Sequence, residues 1–178
     1  MDEVQVIPTN EQYAEGFNAA VDIVARERRY IGFVEGPPLE STRRFIRHIL
    51  EGGGVQMLAV TSNGAVVGWC DIVCNPMEGF RHVGKLGMGL LPAYRGLGWG
   101  RQLAVQTIRA ARQAGMERIE LDVFASNKAA IALYLKLGFV TEGVKCRARK
   151  LDGEYDDNVF MALIDAITAV PPNVPSNP

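Results

Sequence analysis

Between two stretches of ordinary apolar chain lies Leu90-Leu91-Pro92-Ala93-Tyr94-Arg95-Gly96-Leu97-Gly98-Trp99-Gly100-Arg101. Three glycines alternate, two arginines bracket them, and the segment follows a strand-like run and opens a helical one. A loop this poor in Cβ atoms lets its backbone N–H groups converge on an anion. The first turn of the following helix adds unpaired N–H groups and the positive end of its dipole. Arg95 and Arg101 would supply charge-assisted hydrogen bonds. The chemistry these residues suit is the binding of a phosphate or diphosphate. A nucleoside-triphosphate loop would end in Gly-Lys-Ser or Gly-Lys-Thr, and neither tripeptide occurs. A dinucleotide fingerprint needs Gly-x-Gly-x-x-Gly early in a parallel repeat, and here the third glycine comes one residue too soon.

The charge distribution agrees with an anion site. The chain has 19 basic and 20 acidic residues, a net charge of −1, so nothing global calls for nucleic acid or an anionic membrane. From Gly79 to Met116, however, there is no acid, while Arg81, Lys85, Arg95, Arg101, Arg109 and Arg112 all fall there. The expectation from this feature alone is a basic face whose acids come from neighbouring segments; an anion site is the alternative.

A second segment, Asn127-Lys128-Ala129-Ala130-Ile131-Ala132-Leu133-Tyr134-Leu135-Lys136-Leu137-Gly138-Phe139, has Asn127, Ala130 or Ile131, and Tyr134 on one face by their spacing of three and four. Together the two segments resemble the GNAT superfamily of N-acetyltransferases. Arg95 to Gly100 matches the family's Arg-x-x-Gly-x-Gly acetyl-CoA loop. The second segment matches its Asn-x-x-Ala-x-x-x-Tyr-x-x-x-Gly-Phe helix, and the resemblance covers roughly residues 4–163. It implies a cytoplasmic enzyme that moves an acetyl group from acetyl-CoA to a primary amine by direct attack in a ternary complex. The closing Asp152–Asp157 hairpin looks like the branch that acts on amino acids, small amines or peptide N-termini.

The resemblance implies that the co-substrate is held by Leu90, Leu91, Arg95, Gly96, Leu97, Gly98, Trp99, Gly100, Arg101, Asn127 and Ala130. A backbone N–H near Leu90 would meet the thioester oxygen. Tyr134 would give the leaving thiolate its proton, since a phenol near pKa 10 keeps that proton at neutral pH. Asn127 also suits a helix N-cap.

Some family members carry a glutamate on the strand before the loop; here Lys85, Gly87 and Gly89 stand instead. The two glycines leave room for an acetyl group or acceptor, or else allow tight packing. The remaining candidate bases are Asp71, Glu78, Glu35 and His82. Glu35, Asp71 and Glu78 are also candidate contacts for a cationic acceptor. Asp71 shares a strand face with Val67, Trp69 and Val73 and is expected to be a paired structural carboxylate. His48 and His82 read as plain histidines. No His, Cys or carboxylate cluster has metal-ligand spacing, so no metal is expected. Cys70, Cys74 and Cys146 cannot all pair and are expected to be reduced core thiols. Two alternatives accompany the acetyltransferase reading. One is a catalytically silent acyl-CoA-binding module. The other is a dinucleotide-dependent oxidoreductase with Asp122 on the ribose.

These residues need a scaffold. At 178 residues the chain suits about one domain. Strands are expected over Val4–Pro8, Val55–Thr61, Ala65–Cys74, Val83–Leu91, Arg118–Val123, Phe139–Leu151 and Tyr155–Leu163. Ser62-Asn63-Gly64 and Asp152-Gly153-Glu154 are the hairpin turns. Helices are expected over Glu11–Arg28, Ser41–Leu50 with Ser41 as cap, Gly98–Ala114 and Asn127–Leu137. The fold class is α/β (α+β): one domain over residues 1–165, with a mixed, mostly antiparallel sheet of about seven strands flanked by about four helices. Residues 166–178 hold four of the nine prolines and are expected to form an extended tail. Met1-Asp2-Glu3 has the wrong sign for a signal peptide, and the longest charge-free internal run is broken by polar residues and glycines, so no membrane association is expected. A homodimer is left open.

Overall fold

The computed structural model describes residues 3–164. Seven strands form one sheet: β1 (Val4–Pro8), β2 (Gly54–Thr61), β3 (Val66–Cys74), β4 (Val83–Leu90), β5 (Arg118–Phe124), β6 (Val140–Leu151) and β7 (Glu154–Ile164). Their spatial order is β1-β2-β3-β4-β5-β7-β6. Every neighbouring pair is antiparallel except β4 and β5. Four helices cover it: α1 (Ala14–Arg26), α2 (Leu39–His48), α3 (Trp99–Gln113) and α4 (Lys128–Lys136). This is the mixed sheet with helices that the sequence leads one to expect. The tail expected over 166–178 lies outside the described residues.

Apolar alternation assigns the two faces. On β3, Cys70 and Ile72 turn one way and join Leu86, Leu103, Ile119, Leu121 and Tyr134 under α3 and α4. Trp69 turns the other way and joins Phe17, Val21, Val24, Ile46 and Leu58 under α1 and α2. Both faces of β3 are therefore covered, which is why Val66 to Cys70 reads as a continuous buried run.

Local chemistry adjusts several expected boundaries. The first helix begins with a separate 3-10 turn, Glu11–Tyr13, capped by the Asn10 side chain, before α1 starts at Ala14. Ser41 does not cap α2. Pro38 precedes the helix, and its carbonyl already accepts from Ser41 and Thr42 N–H. Beyond His48 the chain makes a π turn, Ile49–Gly53. In the β6–β7 hairpin, Asp152 (φ 52°) and Gly153 (φ 85°) alone form the turn, and Glu154 already pairs with Leu151. The cysteines are free, but only Cys70 is a core thiol; Cys146 is exposed on β6 and Cys74 is half-buried. Among the described residues no helix is long and apolar enough to cross a membrane.

Gly89 settles part of the question posed by the bare strand. A Cβ there would overlap the Trp69 indole, whose own edge packs on the Phe17 ring at 5.6 Å between centroids. The indole cannot yield without disturbing the core. Gly89→Ala is therefore expected to lose about 1–3 kcal/mol of stability, measured by urea denaturation.

Candidate active site

The parallel pairing of β4 with β5 lasts only three residues, Val83–Lys85 against Arg118–Glu120. From Leu86 onward β4 has no partner on that side, and the two strands part to open a cleft of about 690 Å³. Leu91 N–H donates to the Val67 carbonyl at 2.9 Å. By the alternation of an antiparallel ladder, the N–H groups of Met88 and Leu90 then point away from β3, into the gap. The cleft thus has an open strand edge on one wall.

The glycine loop forms one end of this cleft. Gly96 (φ 73°) and Gly98 (φ 90°) take left-handed conformations, and Gly98 is the N-cap of α3. The first α3 bond runs from Gln102 N–H to the Gly98 carbonyl at 3.1 Å. None of the backbone N–H groups from Gly96 to Arg101 donates to a protein acceptor among the described residues. A row of free amides therefore sits at the positive end of a 15-residue helix.

The basic block resolves residue by residue. Arg95 makes two hydrogen bonds to Glu27, at 2.7 and 2.5 Å, donates from Nε to the Leu90 carbonyl at 2.9 Å, and lies over the Tyr30 ring at 4.6 Å. Lys85 pairs with Asp122. Neighbouring segments thus supply acids to these two, as the charge pattern led one to expect. Arg101 is exposed at the cleft and makes no ion pair among the described residues. Arg95 and Arg101 both line the cleft; Arg95 does so with its charge already paired to Glu27, and Arg101 without an ion-pair partner among the described residues.

Leu90, Gly96, Gly98, Gly100, Asn127 and Ala130 also line the cleft. Leu91, Leu97 and Trp99 do not. Leu91 spends its N–H in the sheet, Leu97 points to solvent, and Trp99 packs against the core. Asn127 Oδ1 accepts from Ala130 N–H at 3.2 Å, the cap its residue type suits. Tyr134 is 6% exposed, packs on Phe139 with 5.6 Å between ring centroids, and lines the cleft. Burial, reinforced by the nearby Cys70 and Asp71, raises its pKa above the ordinary phenol value, so the hydroxyl keeps its proton firmly.

A second cleft of about 410 Å³ lies beside the first, with Ile31, Gly32, Gly87 and Met88 lining both. Its walls carry Phe17, Val21, Phe45 and Trp69, and Asp71 lies on its floor. Asp71 is not the paired structural carboxylate expected. It makes no ion pair among the described residues, and its cross-strand neighbours are Gln56 and Gly87. Oδ1 lies 3.2 Å from where a Cβ on Gly87 would stand, so the bare strand makes room for it. Burial pushes its pKa up to about 7, with Gln56 opposing the rise. Glu35 and Glu78 do not reach either cleft: both are exposed, Glu35 in the α1–α2 connection and Glu78 in a turn at the far end of the β3–β4 hairpin. His82 is exposed and lines neither cleft.

The strap Tyr30-Ile31-Gly32-Phe33 between the clefts was not foreseen, because no periodicity marks it. Arg149 holds it by donating to the Arg28 and Arg29 carbonyls, and Arg28 pairs with Asp152.

The family model described as the acetyltransferase (GNAT) family matches residues 17–139. The chain belongs to this family. It is 36% identical over 85 residues to the uncharacterized N-acetyltransferase YdgE of Bacillus subtilis, which covers 47% of this chain and 54% of that protein. The chain thus spans about half the length of that relative. It is 28% identical over 128 residues to the L-amino acid N-acetyltransferase AaaT of Escherichia coli, covering 71% of this chain and 79% of AaaT. A crystal structure of a GNAT-family acetyltransferase from Streptococcus pneumoniae superimposes with a TM-score of 0.85 at 25% identity, covering 92% of this chain and all of the other. These findings agree with the geometry and remove the oxidoreductase reading. The sheet has one parallel pair where that reading needs a parallel repeat, and Asp122, its ribose partner, is taken by Lys85.

Proposed function

We propose that this GNAT-family chain transfers an acetyl group from acetyl-CoA to a primary amine, on an amino acid, a small amine or a peptide N-terminus. The observation that carries the reading is the row of unbonded amides from Gly96 to Arg101 at the start of α3, opening onto the gap between β4 and β5. The amides and Arg101 suit the diphosphate, and the open strand edge at Met88 suits the amide groups of the pantetheine arm. The residues present therefore fit acetyl-CoA as co-substrate.

Bound there, acetyl-CoA supplies an activated acetyl group. The chain's part is to align and to move protons. The Leu90 N–H, unused by the β3 ladder, would donate to the thioester oxygen as charge gathers there. Tyr134 gives its proton to the departing sulfur and recovers one from the new amide nitrogen. The strap at Ile31 and Gly32 bounds both clefts, so the amine approaches from the second cleft into the first.

Two measurements test this. Calorimetric titration should show acetyl-CoA binding, and release of free thiol should depend on an added amine. Binding without turnover on any amine would make the chain a silent acyl-CoA-binding module; no binding would overturn the reading. The two arginines should separate. Arg101→Ala is expected to weaken acetyl-CoA binding roughly tenfold, more steeply at low salt, with the melting temperature unchanged. Arg95→Ala, which strands Glu27 half-buried, is expected to lower the melting temperature as well.

A further inference from the structure

The second cleft carries more information than its position. Of the described residues that line it, only Asp71 is ionisable. Two aromatic rings from the helices, Phe17 and Phe45, and the Trp69 indole from β3 form an apolar enclosure above it. Phe33, 57% exposed, overhangs the opening from the strap. Among the described residues no lysine, arginine or histidine lines the cleft. The two hydroxyls at its lip are engaged: Thr42 Oγ1 accepts from Asn18 at 2.8 Å, and Ser41 Oγ accepts from Arg44 at 3.2 Å. Ser41 and Thr42 amides are spent on the Pro38 carbonyl. A carboxylate entering this space would meet one like charge and no counter-charge.

We infer that the acceptor is a primary amine on an aromatic or aliphatic body with no carboxylate beside the nitrogen, and that Asp71 takes up the ammonium proton. The inference rests on the acetyl-transfer reading above and narrows it. The balance of the step is simple. Asp71 carboxylate removes one proton from R–NH3⁺. The neutral nitrogen attacks the thioester carbon, the C–N bond forms and the C–S bond breaks. The second nitrogen proton passes by way of Tyr134 to sulfur, so the amide, the thiol and one proton on Asp71 result; that proton then returns to solvent.

Asp71 is placed for this. It lies on the floor where the clefts meet, next to the Cβ-free Gly87 that lines both. The groups facing it are Gln56 from β2 and Gly87 from β4. The nearby titratable groups are Cys70 and Tyr134, both held protonated by burial, and α1 and α2 present no charged side chain to the cleft. A carboxyl titrating at about 7 is matched to deprotonating an ammonium near neutrality.

The test compares 2-phenylethylamine, L-phenylalaninamide and L-phenylalanine as acceptors, by thiol release, beside calorimetry of acetyl-CoA. The first two should exceed L-phenylalanine in kcat/KM by roughly 10–100-fold, since the acid differs from the amine only by a charge placed near Asp71. L-Phenylalanine used as well as the amine, or turnover confined to polyamines, overturns the inference while acetyl-CoA binding keeps the acetyltransferase reading intact. Failure of acetyl-CoA to bind overturns both. With 2-phenylethylamine, kcat/KM should rise through about pH 7 and level off. In Asp71→Asn it should fall roughly 10²-fold at pH 7.5 and climb without levelling, following the amine's own ionisation. A wild-type profile lacking the bend near 7 removes Asp71 from the role.

Discussion

Asp71→Asn is expected to melt later than the wild type at pH 8.5 while transferring acetyl groups far more slowly. The stability gain follows from where the carboxyl sits. Its pKa is about 7 in the folded chain, against about 3.9 for a solvated aspartate. Between those values the folded chain binds a proton that the unfolded chain has released. Stability therefore falls as pH rises from about 4 to about 7, and stays at the lower level above. An asparagine carries no such penalty. At pH 8.5 the variant should be more stable by about 2–4 kcal/mol, the lower end reflecting solvent that reaches the carboxylate through the cleft. For a chain of this length that is a rise on the order of 5–10 °C in melting temperature. At pH 4 the two proteins should melt together. Differential scanning calorimetry at both pH values checks it, and a variant less stable at pH 8.5 would mean Asp71 is held by interactions that favour its charge.

Tyr134→Phe carries the second large effect. The ring packs on Phe139 and belongs to the core under α3 and α4, and phenylalanine keeps that packing. Only the hydroxyl is lost. If it protonates the departing thiolate, kcat should drop roughly 10²-fold, with KM for acetyl-CoA within about twofold and the melting temperature essentially unchanged. Stopped-time assays of thiol release over a range of acetyl-CoA concentrations separate the two parameters. Unchanged kcat would reduce Tyr134 to a packing residue.

How much of this was legible in the chain depends on range. The glycine loop, the helix after it and the Asn127–Tyr134 face were readable because each rests on local rules of turn, cap and period. The order of hairpins, strands and helices likewise pointed to one mixed sheet flanked by helices. What escaped was decided by partners distant in sequence. Nothing near Arg95 in sequence announces its ion pair with Glu27, 68 residues earlier. Asp71 reads as a structural acid because its apolar strand face suggests a core, yet that face borders a cleft and no cation comes to meet it. Glu35 and Glu78 qualified by charge alone, and tertiary placement leaves both in solvent. The splay of β4 from β5 after only three pairs, on which the co-substrate cleft depends, has no signature in either strand.

Co-substrate binding is decided at the start of α3. A crystal structure of the chain with acetyl-CoA should show the diphosphate oxygens within hydrogen-bonding distance, about 3 Å, of backbone amides between Gly96 and Arg101, and the pantetheine arm beside Met88 and Leu90. A diphosphate bound anywhere else, with those amides facing only water, would contradict it.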